Sequence, residues 1–237
     1  MQLTIKHPFL CLPVVSHPKD TRVLKLFDGE KLLLCVYFPF GEAAADNGTY
    51  SYEYLSPLPV SEWMGRTLTL SAEFPAGFED AVTQTDELPV SGEVHPAVHF
   101  TANAGWINDP NGLVYDNGTY HLYYQHNPFG VNWNNMSWGH ATSTDLLHWT
   151  RLPVAMLPDE EGTIFSGCGL TNEHRDEIQA AADSNLYRSL PKDALLFFYT
   201  AAGVSHDSAC SEGKDYTQHT AYSTDHGLTL QKLPGAV

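Results

Sequence analysis

Basic residues are scarce in this 237-residue sequence, which holds 12 Lys and Arg against 28 Asp and Glu, a formal net charge of −16. Binding to nucleic acid or to an anionic membrane surface needs a basic footprint, so we expect neither as a partner. Charged residues make up only 17% of the chain, whereas aromatic residues make up 12%. Because acidic disordered chains are poor in apolar and aromatic residues, most of this chain is predicted to fold.

Long hydrophobic runs and closely spaced cysteines are also missing. No stretch approaches the ~18 apolar residues of a membrane-spanning helix. The N-terminal residues do not combine a basic region, an apolar run and a cleavage site, which predicts a cytoplasmic protein, or a secreted one if the true N-terminus lies upstream. The cysteines are too far apart for a zinc site and too few for a disulfide scaffold; they are Cys11, Cys35, Cys168 and Cys210.

Residues 1–94 are predicted to form a small all-β N-terminal module that ends in a linker. Two apolar runs flank Asp28-Gly29, a pair typical of a hairpin turn. Residues 50–58 and 67–74 are further predicted strands, the second with alternating apolar and polar residues. Residues 83–96 are acidic and contain Pro and Gly, which indicates a linker or a connecting strand.

The segment 95–237 is predicted to be a second all-β region. Its short predicted strands cover residues 112–115, 120–125, 140–143, 195–200 and 220–224. Turn signals separate them at nearly even spacing, a pattern that fits a sandwich, a barrel or a propeller. Residues 173–190 are the best helix-forming stretch in the chain.

Chemically active residue types concentrate in residues 105–148, where carboxylates, amides and aromatics are interleaved. Aromatic faces stack on sugar rings, and amides and carboxylates bind sugar hydroxyls, so the composition is typical of a sugar site. The run Asn-Asp-Pro-Asn-Gly at residues 108–112 is also a favourable turn sequence, and composition alone favours the turn. Periodicity alone likewise favours Trp138 and Trp149 as core residues.

The motifs resemble those of glycoside hydrolase family 32, the invertase, inulinase and levanase family. Those that carry the resemblance lie at residues 106–112, 124–128, 132–136, 138–143, 145–149, 165–167, 199–200 and 218–227. The resemblance implies that residues 95–237 form the N-terminal part of a five-bladed β-propeller. Residues 1–94 more weakly resemble the small β module, sandwich-like in our prediction, that precedes some bacterial fructan hydrolases.

The resemblance implies a glycosidase that cleaves terminal β-D-fructofuranosyl linkages of fructans or sucrose with retention of configuration. Asp109 matches the nucleophile that forms a covalent fructosyl-enzyme. The residues that match fructose-binding positions are Asn108, Gln125, Trp133, Phe165 and Ser166. No metal or other cofactor is implied. His126 and His140 are predicted to be structural, Asp145 to organise a turn between strands, and the loop pair Glu160-Glu161 to be solvated.

The sequence departs from the family pattern in its second catalytic carboxylate. The family's Arg-Asp-Pro and Glu-Cys motifs are absent, and the single Arg-Asp pair, Arg175-Asp176, precedes Glu177. A blade takes roughly 40–60 residues, so residues 95–237 suffice for about two to three blades. We therefore expect a truncated propeller that depends on a missing C-terminal portion or on self-association. The alternative to an enzyme is a catalytically incomplete fragment that retains only a fructose-binding surface.

Overall fold

The computed structural model describes residues 1–42, 48–89, 96–174, 176, 186–203 and 209–237. The strands are β1 (Gln2–Thr4), β2 (Phe9–Val14), β3 (Asp20–Asp28), β4 (Lys31–Phe40), β5 (Tyr54–Pro59), β6 (Thr67–Ser71), β7 (Thr83–Thr85), β8 (Trp106–Asp116), β9 (Thr119–Asn127), β10 (Ser137–Ser143), β11 (Thr150–Met156), β12 (Thr163–Thr171), β13 (Leu195–Ala202), β14 (Tyr216–Ser223) and β15 (Gln231–Lys232). The helices are short, α1 (Phe78–Ala81) and α2 (Leu186–Ser189), with 3₁₀ turns at Ser61–Trp63 and Asn172–His174. The predicted all-β class is confirmed.

The N-terminal sheets form a module built on one apolar core. One sheet has the order β1-β6-β3-β4 and the other the order β5-β2-β7. The predicted hairpin at Asp28-Gly29 is confirmed, since β3 pairs with β4 and Gly29 adopts the positive φ of 58° that the turn requires. Apolar side chains of both sheets, such as Leu12 and Val36, share one buried cluster. Residues 83–96 were predicted to be a linker or a connecting strand. The start of this segment is a strand, β7, which pairs with β2.

Two four-stranded antiparallel sheets follow, each with its strands in chain order. We call them the first blade (β8 to β11) and the second blade (β12 to β15). The edge strands β8 and β12 contact each other, and a buried cluster between the blades includes Trp138, Phe197 and Tyr199. This is the arrangement of neighbouring propeller blades and agrees with the prediction of an incomplete propeller.

Several contacts join the N-terminal module to the blades, among them those of Phe129, Asn135 and Cys210. Phe129, from the β9–β10 loop, is buried in the core of the module. The Asn135 side chain accepts the Tyr37 N–H and donates to the Tyr37 carbonyl, both at 2.9 Å. A disulfide joins Cys35 of β4 to Cys210. The spacing of the cysteines does not predict this bond, whose partners are 175 residues apart.

Other predicted elements differ from the structure or lie outside its described part. The strands β1, β2, β11, β12 and β15 were not predicted, and the predicted strand 50–58 begins only at Tyr54. Of the predicted helical stretch 173–190, residues 175 and 177–185 lie outside the described residues, and so does the proposed boundary between residues 94 and 95. Within the described residues, every helix is too short or too polar to cross a membrane.

Candidate functional site

Register shifts in the β-ladders mark the edge strands of the blades, and two of them hold predicted site residues. The register between β8 and β9 shifts between Ile107 and Pro110, and Asn108-Asp109 occupies that interval. The register between β12 and β13 shifts between Ile164 and Gly167, where Phe165-Ser166 lies. Such bulges re-aim side chains and are frequent beside active sites. Since β8 contacts β12, four of the six predicted site residues lie on bulges of two touching strands.

The run Asn-Asp-Pro-Asn-Gly at residues 108–112 is therefore part of a strand, and the turn that its composition favours is wrong. Pro110 is tolerated because β8 is an edge strand and the register shift ends at that residue. Gly112 has φ of 52°, and a Cβ there would meet the Trp138 and Tyr123 rings at 3.0 Å. The same residues that suit a turn thus suit a bulged strand packed closely against a core.

Asn108 is held in place by a neighbouring indole. The Nε1–H of Trp106 donates to the side-chain oxygen of Asn108 at 2.8 Å, across two residues of the same strand. This bond uses the side-chain oxygen of Asn108 as an acceptor. Asp109 follows directly and is solvent-exposed, as a nucleophile that must reach a substrate has to be.

Gln125 links the first blade to the bulged segment of β12. Its side chain is buried and donates to the Ile164 carbonyl at 2.9 Å. The indole of Trp138, fully buried, donates to the Phe165 carbonyl at 3.1 Å. Both bonds satisfy carbonyls on the bulge of β12 and so fix the position of Phe165. Trp138 is thus a core residue, as its periodicity predicted, and also a support of the site.

Three aromatic rings form a wall beside this bulge. The Trp133 ring lies 5.9 Å from the Phe165 ring, and the Phe165 ring lies 5.9 Å from that of Tyr216. Trp133 is 44% exposed and Tyr216 is 56% exposed, so both rings are open to solvent beside Phe165. We call Trp133, Phe165 and Tyr216 the aromatic wall. Trp133 and Phe165 were predicted for this site, whereas Tyr216 was not.

The histidines near the motifs are buried and structural, as predicted. The Nδ1–H of His126 donates to the Trp106 carbonyl at 2.8 Å, and burial lowers the pKa of this imidazole to about 4. His140 lies 3.0 Å from a ring nitrogen of His121, and burial lowers the pKa of His140 to about 3. Both are neutral at pH 7, so neither supplies positive charge to the site.

Asp145 and Glu161 have structural partners. An Asp145 oxygen accepts the backbone N–H groups of Leu147 and His148 at 2.9 and 2.8 Å, which confirms its predicted role in the turn after β10. Glu161 pairs with Lys214 at 3.3 Å on the surface. This pair ties the loop before β12 to the loop before β14.

A cavity of about 630 Å³ lies elsewhere, between the N-terminal module and the first blade. Its lining includes Tyr124, His126 and Arg151 and none of the six predicted site residues. Side chains alternate along β9, so Tyr124 and His126 face away from Gln125. The bulged strands and the aromatic wall, rather than this cavity, carry the pattern of a sugar site.

The structure thus brings the predicted residues together around β12, while the catalytic role of Asp109 stays a prediction. Gln125 and Trp133 contact the bulge of β12, and Asn108-Asp109 lies on the neighbouring strand. The residues that sequence reasoning missed as parts of the site are Trp106, Trp138 and Tyr216. The first two stand inside the motifs, so their position was a usable signal. Tyr216 stands outside every motif.

Comparisons with known proteins agree with this geometry. The model of the glycosyl hydrolases family 32 N-terminal domain matches residues 99–236. A levanase from Bacillus subtilis is 38% identical over 169 residues, which are 71% of this chain and 22% of the levanase. An extracellular exo-inulinase from Aspergillus niger is 41% identical over 143 residues, 55% of this chain and 25% of that protein.

A solved structure is also similar to part of this chain. A β-fructofuranosidase from Schwanniomyces occidentalis, complexed with fructosyl-erythritol, is 32% identical with a TM-score of 0.46, covering 60% of this chain and 26% of that one. The chain spans about a fifth to a quarter of the length of the curated relatives described above.

Proposed function

The chain belongs to glycosyl hydrolase family 32, and from that premise we propose that it carries the fructoside site of a retaining β-fructosidase acting on fructans or sucrose. The observation that carries the proposal is the pair of bulges on touching strands, which hold Asn108-Asp109 and Phe165-Ser166. The relatives support the substrate class, since they are named as a levanase and an exo-inulinase.

The proposed chemistry begins at Asp109. Its exposed carboxylate attacks the anomeric carbon of a terminal fructofuranosyl unit, and a covalent fructosyl-enzyme forms as the bond to the leaving oxygen breaks. The leaving oxygen becomes an alcohol by taking a proton from a second carboxyl group or from water. Water then cleaves this ester and restores the carboxylate, so that configuration is retained. Asn108 and Gln125 bind hydroxyls of the sugar, and Ser166 offers a further hydroxyl at the rim. Trp133 and Phe165 supply the apolar wall for the ring.

Retention also requires a second carboxyl group that protonates the leaving oxygen. No Arg-Asp-Pro or Glu-Cys motif occurs in the 237 residues. This observation favours a second candidate function, in which the chain binds fructose without hydrolysing its glycosides. Loss of general acid catalysis alone lowers rates by about 10²–10⁴-fold.

Fructose release from sucrose, inulin and levan, together with fructose binding measured by titration, tests both candidates. Turnover that Asp109→Asn abolishes supports the glycosidase. Fructose binding without turnover, weakened by Gln125→Ala, supports the binding surface. Asp193→Asn is the matched control, because this exposed carboxylate precedes β13 at the opposite end of the second blade from the bulge. A chain that neither binds fructose nor releases it would contradict both candidates.

A further inference from the structure

The aromatic wall extends beyond the residues that a single fructose unit would use. Phe165 is the central ring, with Trp133 and Tyr216 each 5.9 Å from it. Within the described part of the chain, the ring contacts join Trp133 and Tyr216 only through Phe165. The Tyr216 ring is inclined by 60° to the Phe165 ring and is 56% exposed, so it offers a stacking face separate from that of Phe165.

We propose that Tyr216 is a specificity-determining residue that stacks on the sugar unit next to the terminal fructose. The inference rests on the proposed function and names its ligand class, a β-linked fructo-oligosaccharide rather than a monosaccharide. In this arrangement Trp133 and Phe165 hold the terminal unit, and Tyr216 receives the unit on the leaving-group side.

The placement of Tyr216 is not explained by packing. Its side chain is 56% exposed, much as Tyr115 is at 59%, but only Tyr216 of these two contacts Phe165 of the predicted site. An exposed tyrosine at the first residue of a strand contributes little to a core, but its ring offers a large apolar face at low cost in side-chain entropy. Gln218 lies two residues on, points to the same side of β14 and is also exposed, so a polar group accompanies the ring.

The backbone is anchored at Tyr216 and in the segment that precedes it. Cys210, six residues earlier, is bonded to Cys35 of the N-terminal module. Lys214, two residues earlier, pairs with Glu161 of the loop that leads into β12. Tyr216 itself pairs with Ala202 in the ladder between β13 and β14. A platform held in this way loses little freedom when a sugar binds, which favours selective stacking.

Titration with fructose and with inulotriose, a trisaccharide of β-linked fructose, tests the inference on the full chain. Tyr216→Ala is expected to weaken trisaccharide binding about three- to tenfold, the value of one aromatic stacking contact. Fructose binding is expected to stay within about twofold of wild type, because the terminal subsite is untouched. Tyr216→Phe keeps the ring and should bind the trisaccharide like wild type.

Tyr115→Ala is the matched control, since this tyrosine is 59% exposed near the far end of β8 and should affect neither ligand. Equal weakening of both ligands by Tyr216→Ala would indicate a structural role and overturn the inference. An unchanged trisaccharide affinity would overturn it while the proposed function stands. A wild-type chain that binds neither ligand would overturn both.

Discussion

The disulfide between Cys35 and Cys210 predicts that the stability of the chain depends on its redox state. The bond closes a loop of 175 residues between the N-terminal module and the second blade. A disulfide lowers the conformational entropy of the unfolded chain, and for a closed loop of this length the resulting stabilisation is about 5 kcal/mol at 25 °C. Reduction should therefore remove a large share of the free energy of unfolding, which is about 5–15 kcal/mol in typical folded domains.

Urea unfolding with and without dithiothreitol measures this effect. With an m value of about 2–3 kcal/mol/M, a loss of about 5 kcal/mol lowers the midpoint by roughly 2 M. Cys210→Ser should unfold in both conditions at the midpoint of the reduced wild type. Cys168→Ser is the control, because this exposed cysteine is free and should leave the redox effect unchanged.

Thiol counting provides an independent check of the same bond. In the oxidised native chain, an alkylating reagent should label Cys168, which is exposed, and spare Cys11, which is buried. Unfolding without reductant should release only Cys11, and reduction should release the other two. Identical urea midpoints in oxidised and reduced protein, or four reactive thiols in the unreduced chain, would refute the reasoning.

Two further predictions concern buried histidines and a closely packed glycine of the first blade. Burial lowers the pKa values of His126 and His140 to about 4 and about 3, so below pH 6.5 the unfolded chain binds protons that the folded chain does not. Stability should thus fall as the pH drops from about 6.5 towards 4, by about 2 kcal/mol per histidine at pH 5, and a melting temperature equal at pH 7 and pH 5 would contradict this. Gly139→Ala places a Cβ 2.3 Å from the Tyr124 ring and should cost about 1–3 kcal/mol in urea unfolding. Gly130→Ala, whose Cβ would meet only an Asn127 amide at 3.3 Å, should cost clearly less.

Sequence reasoning succeeded where the signal is local. The hairpin at Asp28-Gly29 is specified by its turn residues and the apolar runs beside them. The turn after β10 follows from Asp145, whose carboxylate binds backbone N–H groups two and three residues on. In both cases the physical cause lies within a few residues of its effect.

Prediction failed where the cause lies in distant contacts. A strand such as β11 shows neither clean alternation nor a strong apolar run, and its pairing with β10 defines it. The strand at residues 108–112 contains turn residues, but Gly112 is required by rings that pack on it from β9 and β10. Tyr216 becomes part of the aromatic wall only because β12 and β14 both pair with β13 in one sheet.

The contacts of Phe129, Asn135 and Cys210 with the N-terminal module also set an order of events during synthesis. Cys35 and Tyr37 emerge from the ribosome early, while their partners Asn135 and Cys210 are translated about 100 and 175 residues later. Until then, the core of the module lacks the Phe129 side chain that fills it. Because such late, non-local contacts slow folding and leave apolar surface open to association, the nascent module is expected to be a client of holding chaperones.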